Sequence, residues 1–145
     1  MQPTIIKLIF SVIIVVFSMT LVNAQADTAE KFANMIAKGE NAAALTGLKS
    51  HLKKNKTDHL GWYFLGIANI NLLKERDAIK ALNNAVKLKA DDVNILSTLA
   101  YAHMLSNSKQ TEKIANETLK LAPNNVTALY VLSVAGLRQG NYVKA

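Results

Sequence analysis

The sequence contains no cysteine, two prolines and six glycines, and only 6% of its residues are aromatic. The lack of cysteine excludes disulfides, thiolate zinc sites, cysteine nucleophiles and a lipid-bearing cysteine. Scarce proline and glycine, with 50% hydrophobic residues, favour a helical domain over a sheet sandwich rich in turns. The sequence also has no G-x-S-x-G, H-E-x-x-H, phosphate-binding loop or glycine-rich dinucleotide fingerprint. We therefore expect an all-α protein that is not an enzyme and uses no cofactor.

The three histidines do not form a metal site by their spacing. His51 and His59 lie on either side of an expected helix boundary, and no two histidines are four residues apart, as in a helical zinc site. His103 falls on an expected helix at a packing position. We expect a half-buried ring satisfied by hydrogen bonding there, and no catalytic or metal-binding residue in the chain.

The first 24 residues have the composition of a secretory signal peptide. Lys7 precedes an apolar run at 8–22, and small residues follow it, with Ala24 at the expected cleavage position and Ala26 as the second choice. The alternative is an uncleaved membrane anchor, for which the run is short. Loss of Lys7 leaves a net charge one less than the +7 of the full chain. We expect an exported protein, periplasmic or secreted, or one anchored by its N-terminus.

The remaining sequence is organised as a repeat. Asp58, Asp92 and Asn125 each precede an apolar helical pattern and can cap a helix by accepting from its free N–H groups. These residues are 34 and 33 positions apart. Each unit contains two amphipathic stretches separated by a polar break, which in the best-defined unit lies at 74–77. The period and pattern predict pairs of helices that stack along the chain.

The unit at 59–92 resembles the tetratricopeptide repeat (TPR). Four positions match its consensus, which are Trp62, Leu65, Gly66 and Ala78, and Leu82 is a common substitute for its phenylalanine. Gly66 is expected where the two helices cross closely, and Leu73 is placed on the apolar stripe of the first helix. Asn69 stands where the consensus has tyrosine, and Ala90 replaces the terminal proline.

The resemblance divides the chain into four units after residue 24. These are a degenerate capping repeat at 25–58, complete repeats at 59–92 and 93–125, and the first helix and turn of an incomplete repeat at 126–145. The unit at 93–125 lacks one residue around 105–108, which predicts a tighter turn or a shorter helix. Because Gly140, Tyr142 and Ala145 follow the consensus to the start of a second helix, we expect the natural protein to continue.

The resemblance implies an α-solenoid of antiparallel helix pairs in a right-handed superhelix, with a concave groove that binds peptides or partner helices. Carried over by position, the groove residues are Tyr63, Ile67, Ile70, Asn71, Ser97, Tyr101, Met104, Tyr130, Val134 and Arg138. Repeats that bind the acidic tails of heat-shock chaperones use Lys, Asn and Arg in this groove. Tyr63, Ile67, Ser97 and Tyr101 occupy the corresponding positions, so that carboxylate clamp is absent.

The leading hypothesis is a non-enzymatic, bacterial scaffold in the cell envelope that binds a protein or peptide. One alternative is a helical-repeat module that binds RNA, which the positive charge would suit; the Trp-Leu-Gly pattern and the signal peptide argue against nucleic acid. Another is that the repeats support a downstream catalytic or energy-coupling domain. Lys53, Lys54 and Lys56 form a basic cluster that either solvates a helix end or contacts an anionic surface.

Overall fold

The computed structural model describes residues 28–104 and 106–138, except for the side chain of Ser108. These residues form seven helices and no strand. Helix α1 covers residues 28–37, and the others are α2 Asn41–Lys54, α3 His59–Asn71, α4 Glu75–Leu88, α5 Val93–His103, α6 Ser108–Leu121 and α7 Val126–Arg138. The expected signal peptide at 1–24 and the consensus positions Gly140, Tyr142 and Ala145 lie outside the described residues.

The helix starts are capped where the sequence predicts. The carboxylate of Asp58 accepts from the N–H of Gly61 at 3.0 Å, and that of Asp92 accepts from the N–H groups of Asn94 and Ile95. Asn125 accepts from the N–H of Ala128 at 2.8 Å. Each side chain satisfies N–H groups that have no partner within their own helix, which fixes the first residue of α3, α5 and α7.

Each helix packs against the next one along the chain, from α2 to α7. Two clusters of buried apolar side chains result, one containing Phe32 of α1 with residues of α2, α3 and α4, the other joining α4 to α7. No helix pair can bury its apolar face without a neighbouring pair, as is typical of repeat proteins. The expected all-α helical-repeat solenoid is confirmed.

The stack has two unlike sides. The first helices of successive repeats contact each other, α3 with α5 and α5 with α7, whereas in the described residues no Cα atoms of α2, α4 and α6 approach within 8 Å of one another. A stack whose first helices touch while its second helices spread apart curves toward the first helices. We call the exposed side of α3, α5 and α7 the inner face, and the side formed by α2, α4 and α6 the outer face.

Close approach of α3 and α4 depends on Gly66. A Cβ atom added to Gly66 would lie 2.5 Å from Cγ and 2.7 Å from Cδ2 of Leu82, a fully buried side chain of α4. Ala78 and Ala85 on α4 are also fully buried. Gly66 therefore lies at the close crossing of the two helices, as predicted.

The turns after α1 and α3 have the same backbone structure, 34 residues apart. Gly39 and Leu73 both have positive φ, at 79° and 57°. In each turn the following N–H reaches back to the helix, Glu40 to the carbonyl of Met35 and Lys74 to that of Asn69, which is the Schellman pattern of helix C-termini. The prediction that Leu73 lies on the apolar stripe of a helix is wrong: its side chain is 93% exposed. The polar break is also earlier than expected, since α4 begins at Glu75.

We expect Leu73→Gly to raise the free energy of unfolding by about 0.5–1 kcal/mol. A branched L-residue in the left-handed region is strained, and glycine removes that strain at a smaller cost in unfolded-chain entropy. Leu73→Ala is the control, because it removes the same exposed side chain but keeps the strained backbone. Urea unfolding followed by circular dichroism would measure both; a gain for alanine equal to that for glycine would contradict the explanation.

The missing residue in the unit at 93–125 shortens its first helix. Helix α5 has 11 residues, whereas α3 and α7 have 13 each. This confirms the expectation of a shorter helix before the turn. None of the helices within 28–104 and 106–138 is long and apolar enough to span a membrane.

Candidate functional site

The inner face has a cavity between α5 and α7. A cavity of about 350 Å³ is lined there by Thr98, Tyr101, Val126, Thr127 and Tyr130. Both tyrosine rings are exposed, that of Tyr130 by 52%. None of the described residues lining the cavity carries a charge. The cavity therefore brings together two of the predicted groove residues, on adjacent first helices, in an apolar and aromatic surface.

Four other predicted groove residues are half-buried. Tyr63, Ile70 and Val134 pack against the core that joins α4 to α7, and Ile67 is half-buried on α3. The Tyr63 ring lies 5.3 Å from that of Phe64, tilted by 54°. These side chains are held by packing, so they can offer only one edge to a ligand on the inner face.

Two predicted groove residues are buried and do not present surface. Ser97 is 4% exposed and its hydroxyl donates to the carbonyl of Asn94. Met104 is 8% exposed and belongs to the core. Helix α5 ends at His103, so Met104 is its C-cap residue. The side chain of Met104 therefore packs into the core and does not lie on the exposed side of the helix. The prediction that these two side chains line the groove is corrected accordingly.

Asn71 and Arg138 connect neighbouring repeats. The amide of Asn71 donates to the Oδ1 of Asn41 at 2.9 Å, from the end of α3 to the start of α2. Arg138 donates from Nη1 to the carbonyl of Met104, 34 residues earlier, at 2.9 Å. Both side chains are exposed, but these hydrogen bonds show that they also hold the stack together.

A larger cavity on the outer face was not predicted from the sequence. It has a volume of about 640 Å³ and lies between α2 and α4, with α3 at its floor. We call it the outer groove; its lining residues are Lys49, Leu52, Lys53, Lys56, Trp62, Leu65, Asn69, Asp77, Lys80, Ala81, Asn84, Lys87 and Leu88. Lys53 and Lys56 of the predicted basic cluster lie there, whereas Lys54 does not. The sequence feature that could have indicated this groove is Asn69, which stands where the repeat consensus has the larger tyrosine.

A polar network closes the turn between α2 and α3. Nε2 of His51 lies 2.8 Å from Oδ2 of Asp58, while its Nδ1 accepts from the amide of Asn55 at 3.2 Å. With Nδ1 accepting, Nε2 carries the proton and donates to the carboxylate. Asp58 thus caps α3, as predicted, and its contact with His51 also links α3 to α2, which sequence spacing did not reveal.

His103 is half-buried as expected, but not hydrogen-bonded as expected. Its Nδ1 is buried without a partner, which corrects the prediction of a satisfied ring. Burial lowers the pKa of His103 from its ordinary value, and the nearby charge of Glu75 opposes this in part. A neutral imidazole is thereby favoured. Among the described residues no group of three His, Asp or Glu side chains could hold a metal ion.

The sequence pattern of one protein family spans almost the entire chain. The TPR domain of cytochrome c-type biogenesis protein H matches residues 22–145. The chain belongs to this family. It is similar to the cytochrome c-type biogenesis protein CycH of Pseudomonas aeruginosa, with 33% identity over 89 residues, which is 59% of this chain. The match covers 22% of CycH, so the chain spans about a fifth of the length of that relative.

Solved structures of TPR domains share the fold. The first TPR of Spaghetti (RPAP3) bound to the HSP90 peptide SRMEEVD has a TM-score of 0.74 and 20% identity, covering 80% of this chain and 93% of that one. The second TPR domain of human RPAP3, in complex with the HSP70 peptide SGPTIEEVD, has a TM-score of 0.71 and 17% identity, covering 78% and 96%. At these identities the likeness concerns the fold alone. It agrees with the repeat assignment made from the residues.

Proposed function

We propose that this chain is a polypeptide-binding TPR module of cytochrome c-type biogenesis, and that it binds through the inner face between α5 and α7. The observation that carries the proposal is the uncharged cavity containing the exposed rings of Tyr101 and Tyr130. Family membership supports the biogenesis role, and the peptide complexes of two similar folds support protein binding as the mode of action.

The chemistry of the inner cavity suits an apolar polypeptide segment. Tyrosine supplies a large, rigid contact area with a polar tip, and such residues often dominate the energy of protein interfaces. Val126 adds apolar area, and Thr98 and Thr127 add hydroxyl groups that can hydrogen-bond a peptide backbone. An amphipathic helix or an extended segment with apolar side chains would bury this surface.

The same surface disfavours the RNA-binding alternative. Binding to RNA requires Lys or Arg side chains that neutralise phosphates, and the described lining of the inner cavity has none. It equally disfavours an acidic peptide tail at this site, since Tyr63, Ile67, Ser97 and Tyr101 offer no cation. An apolar segment of a protein remains the ligand that fits.

The proposed location is the bacterial cell envelope, outside the cytoplasm. The basic start, apolar run and small residues of the first 24 positions support export. Family membership in cytochrome c-type biogenesis supports the same compartment. The module would act as a scaffold and carry out no reaction of its own.

Site-specific photo-crosslinking tests the proposed surface. A benzoylphenylalanine at position 130 or 101 is expected to crosslink to the haem-free polypeptide of a c-type cytochrome, used as the probe. Position 121 on α6 is the control, because Leu121 is 53% exposed and Tyr130 is 52% exposed. Crosslinks at 121 with none at 101 or 130 would reject the inner face; no crosslink at any position would reject this class of ligand.

A further inference from the structure

The outer groove has apolar walls and a fixed shape. Leu52, Leu65 and Ala81 form its buried base and belong to the core shared by α1 to α4. Trp62 is held in place by a hydrogen bond of 2.8 Å from its Nε1 to the carbonyl of Lys56. The helices on the two sides, α2 and α4, have no Cα atoms within 8 Å of each other. The space between them is therefore an open groove with a preformed apolar floor.

The charge around this groove has one predominant sign. Its lining includes five lysines, which are Lys49, Lys53, Lys56, Lys80 and Lys87, and one acidic residue, Asp77. Among the described residues none of these five ammonium groups takes part in an ion pair. Both sides of the groove contribute positive charge, since three of the lysines lie on or just after α2 and two lie on α4. The charges complement an anionic ligand lying along the apolar floor.

Asn69 adds a specific polar requirement at the floor. Its side chain is 1% exposed and lines the groove. The Nδ2 atom donates to the carbonyl of Leu65 at 2.8 Å, whereas the Oδ1 atom is buried without a partner. A buried acceptor without a hydrogen-bond partner, called an orphan acceptor below, destabilises the folded protein until a donor reaches it. Asparagine is also smaller than the tyrosine of the repeat consensus, and Asn69 is one of the residues that line the groove.

We propose that the outer groove binds an acidic, amphipathic segment of another polypeptide. Its apolar side chains would lie against Trp62 and Leu65, its carboxylates would meet the lysines, and an N–H group would reach Asn69. Segments of this chain outside the described residues are unsuited, because residues 1–27 and 139–145 contain a single acidic residue, Asp27. A second copy is disfavoured by the net charge of +7.

The orphan acceptor distinguishes a polypeptide from an anionic lipid. A phospholipid would place its headgroup among the lysines and its acyl chain on the apolar floor. An acyl chain has no hydrogen-bond donor, so Oδ1 of Asn69 would stay unpaired. A polypeptide has N–H groups along its backbone and on several side chains, so it can satisfy Asn69 and the lysines together.

The test uses a fluorescein-labelled synthetic helical peptide with leucines on one face and glutamates on the other. Fluorescence anisotropy is expected to show binding that weakens with added salt, and a peptide with glutamine in place of glutamate is expected to bind much more weakly. Lys53→Gln combined with Lys80→Gln, one on each side of the groove, should weaken binding by about fivefold to tenfold. Lys113→Gln combined with Lys120→Gln removes the same charge from α6 and should leave binding nearly unchanged.

Asn69→Tyr tests the groove itself. The consensus side chain would fill the space above the floor, so the variant should fold and lose peptide binding by about tenfold or more. If Asn69→Tyr does not fold, Asn69→Leu serves instead, since it removes the orphan oxygen and leaves the donor of the peptide unpaired. Crosslinking from position 130 on the inner face should be unchanged in either variant, which separates this site from the proposed function.

Three results would overturn the proposal. One is equal affinity for the glutamate and glutamine peptides, and another is unchanged binding in the Lys53/Lys80 double variant. The third is binding to vesicles of phosphatidylglycerol, lost in the same double variant, with no binding of the peptide. That last result would assign the groove to an anionic lipid surface.

Discussion

Replacing Gly66 with alanine is expected to lower the free energy of unfolding by about 2–3 kcal/mol, since overpacking a close contact forces side chains or backbone to move. The added methyl group would lie 2.5 Å from Cγ of Leu82. Leu82 is fully buried and part of the core joining α4 to α7, so moving it would disturb the packing of that core. Helices α3 and α4 would have to separate, which would weaken the packing of this repeat against its neighbours.

Gly136→Ala is the matched control for this substitution. Gly136 also lies in a first helix, but nothing lies within 4 Å of a Cβ added there. Alanine should stabilise α7 by up to about 1 kcal/mol, because glycine is the poorer helix former. Urea unfolding by circular dichroism would compare the two. Gly66→Ala with the stability of the parent chain would show that the close crossing of α3 and α4 is not required.

The repeat was predictable because its signals act locally. A cap such as Asp58, Asp92 or Asn125 needs only a side-chain oxygen next to a helix start, and the sequence shows this directly. Gly66 was predictable for a similar reason, since a crossing of two helices at this spacing leaves no room for a side chain. Both signals recur with the period of the stack, so each repeat supports the assignment of the others.

The left-handed turn at Leu73 could not be predicted from its residue type. Leucine favours helices and continues the apolar stripe of α3, so its helix propensity wrongly predicted that position 73 lies within the helix. The equivalent position one repeat earlier is Gly39, which suits positive φ. Pairing of α3 with α4 requires the chain to reverse there, and tertiary packing overrides the preference of the residue. The spacing of 34 between Gly39 and Leu73 was the signal available.

The surface residues were predicted less well than the core. The consensus gives the side of a helix on which a residue lies, but the depth of that residue depends on neighbouring repeats. Met104 is buried because α5 ends one residue before it, and Ser97 is buried because α5 packs against α3, α4, α6 and α7. The outer groove depends on the separation of α2 and α4, which no local pattern encodes. Only the replacement of tyrosine by Asn69 hinted at it.

The second large effect expected concerns binding at the inner face. Under the proposed function, Tyr101→Ala combined with Tyr130→Ala should weaken binding of the probe used above, the haem-free polypeptide of a c-type cytochrome, by about thirtyfold, as for the loss of an interface hot spot of about 2 kcal/mol. Alanine removes the aromatic contact area without adding charge and is compatible with a helix. Because both rings are exposed, the variant should unfold at nearly the same urea concentration as the parent chain.

The deciding measurement is the affinity of this double variant for the same polypeptide, determined by fluorescence anisotropy beside that of Leu121→Ala. Leu121 has nearly the same exposure as Tyr130 but lies on α6, at the outer face. We expect the tyrosine variant to lose most of its affinity and the leucine variant to bind within about twofold of the parent chain. Unchanged binding in the tyrosine variant, or an equal loss in the leucine variant, would contradict a polypeptide site on the inner face.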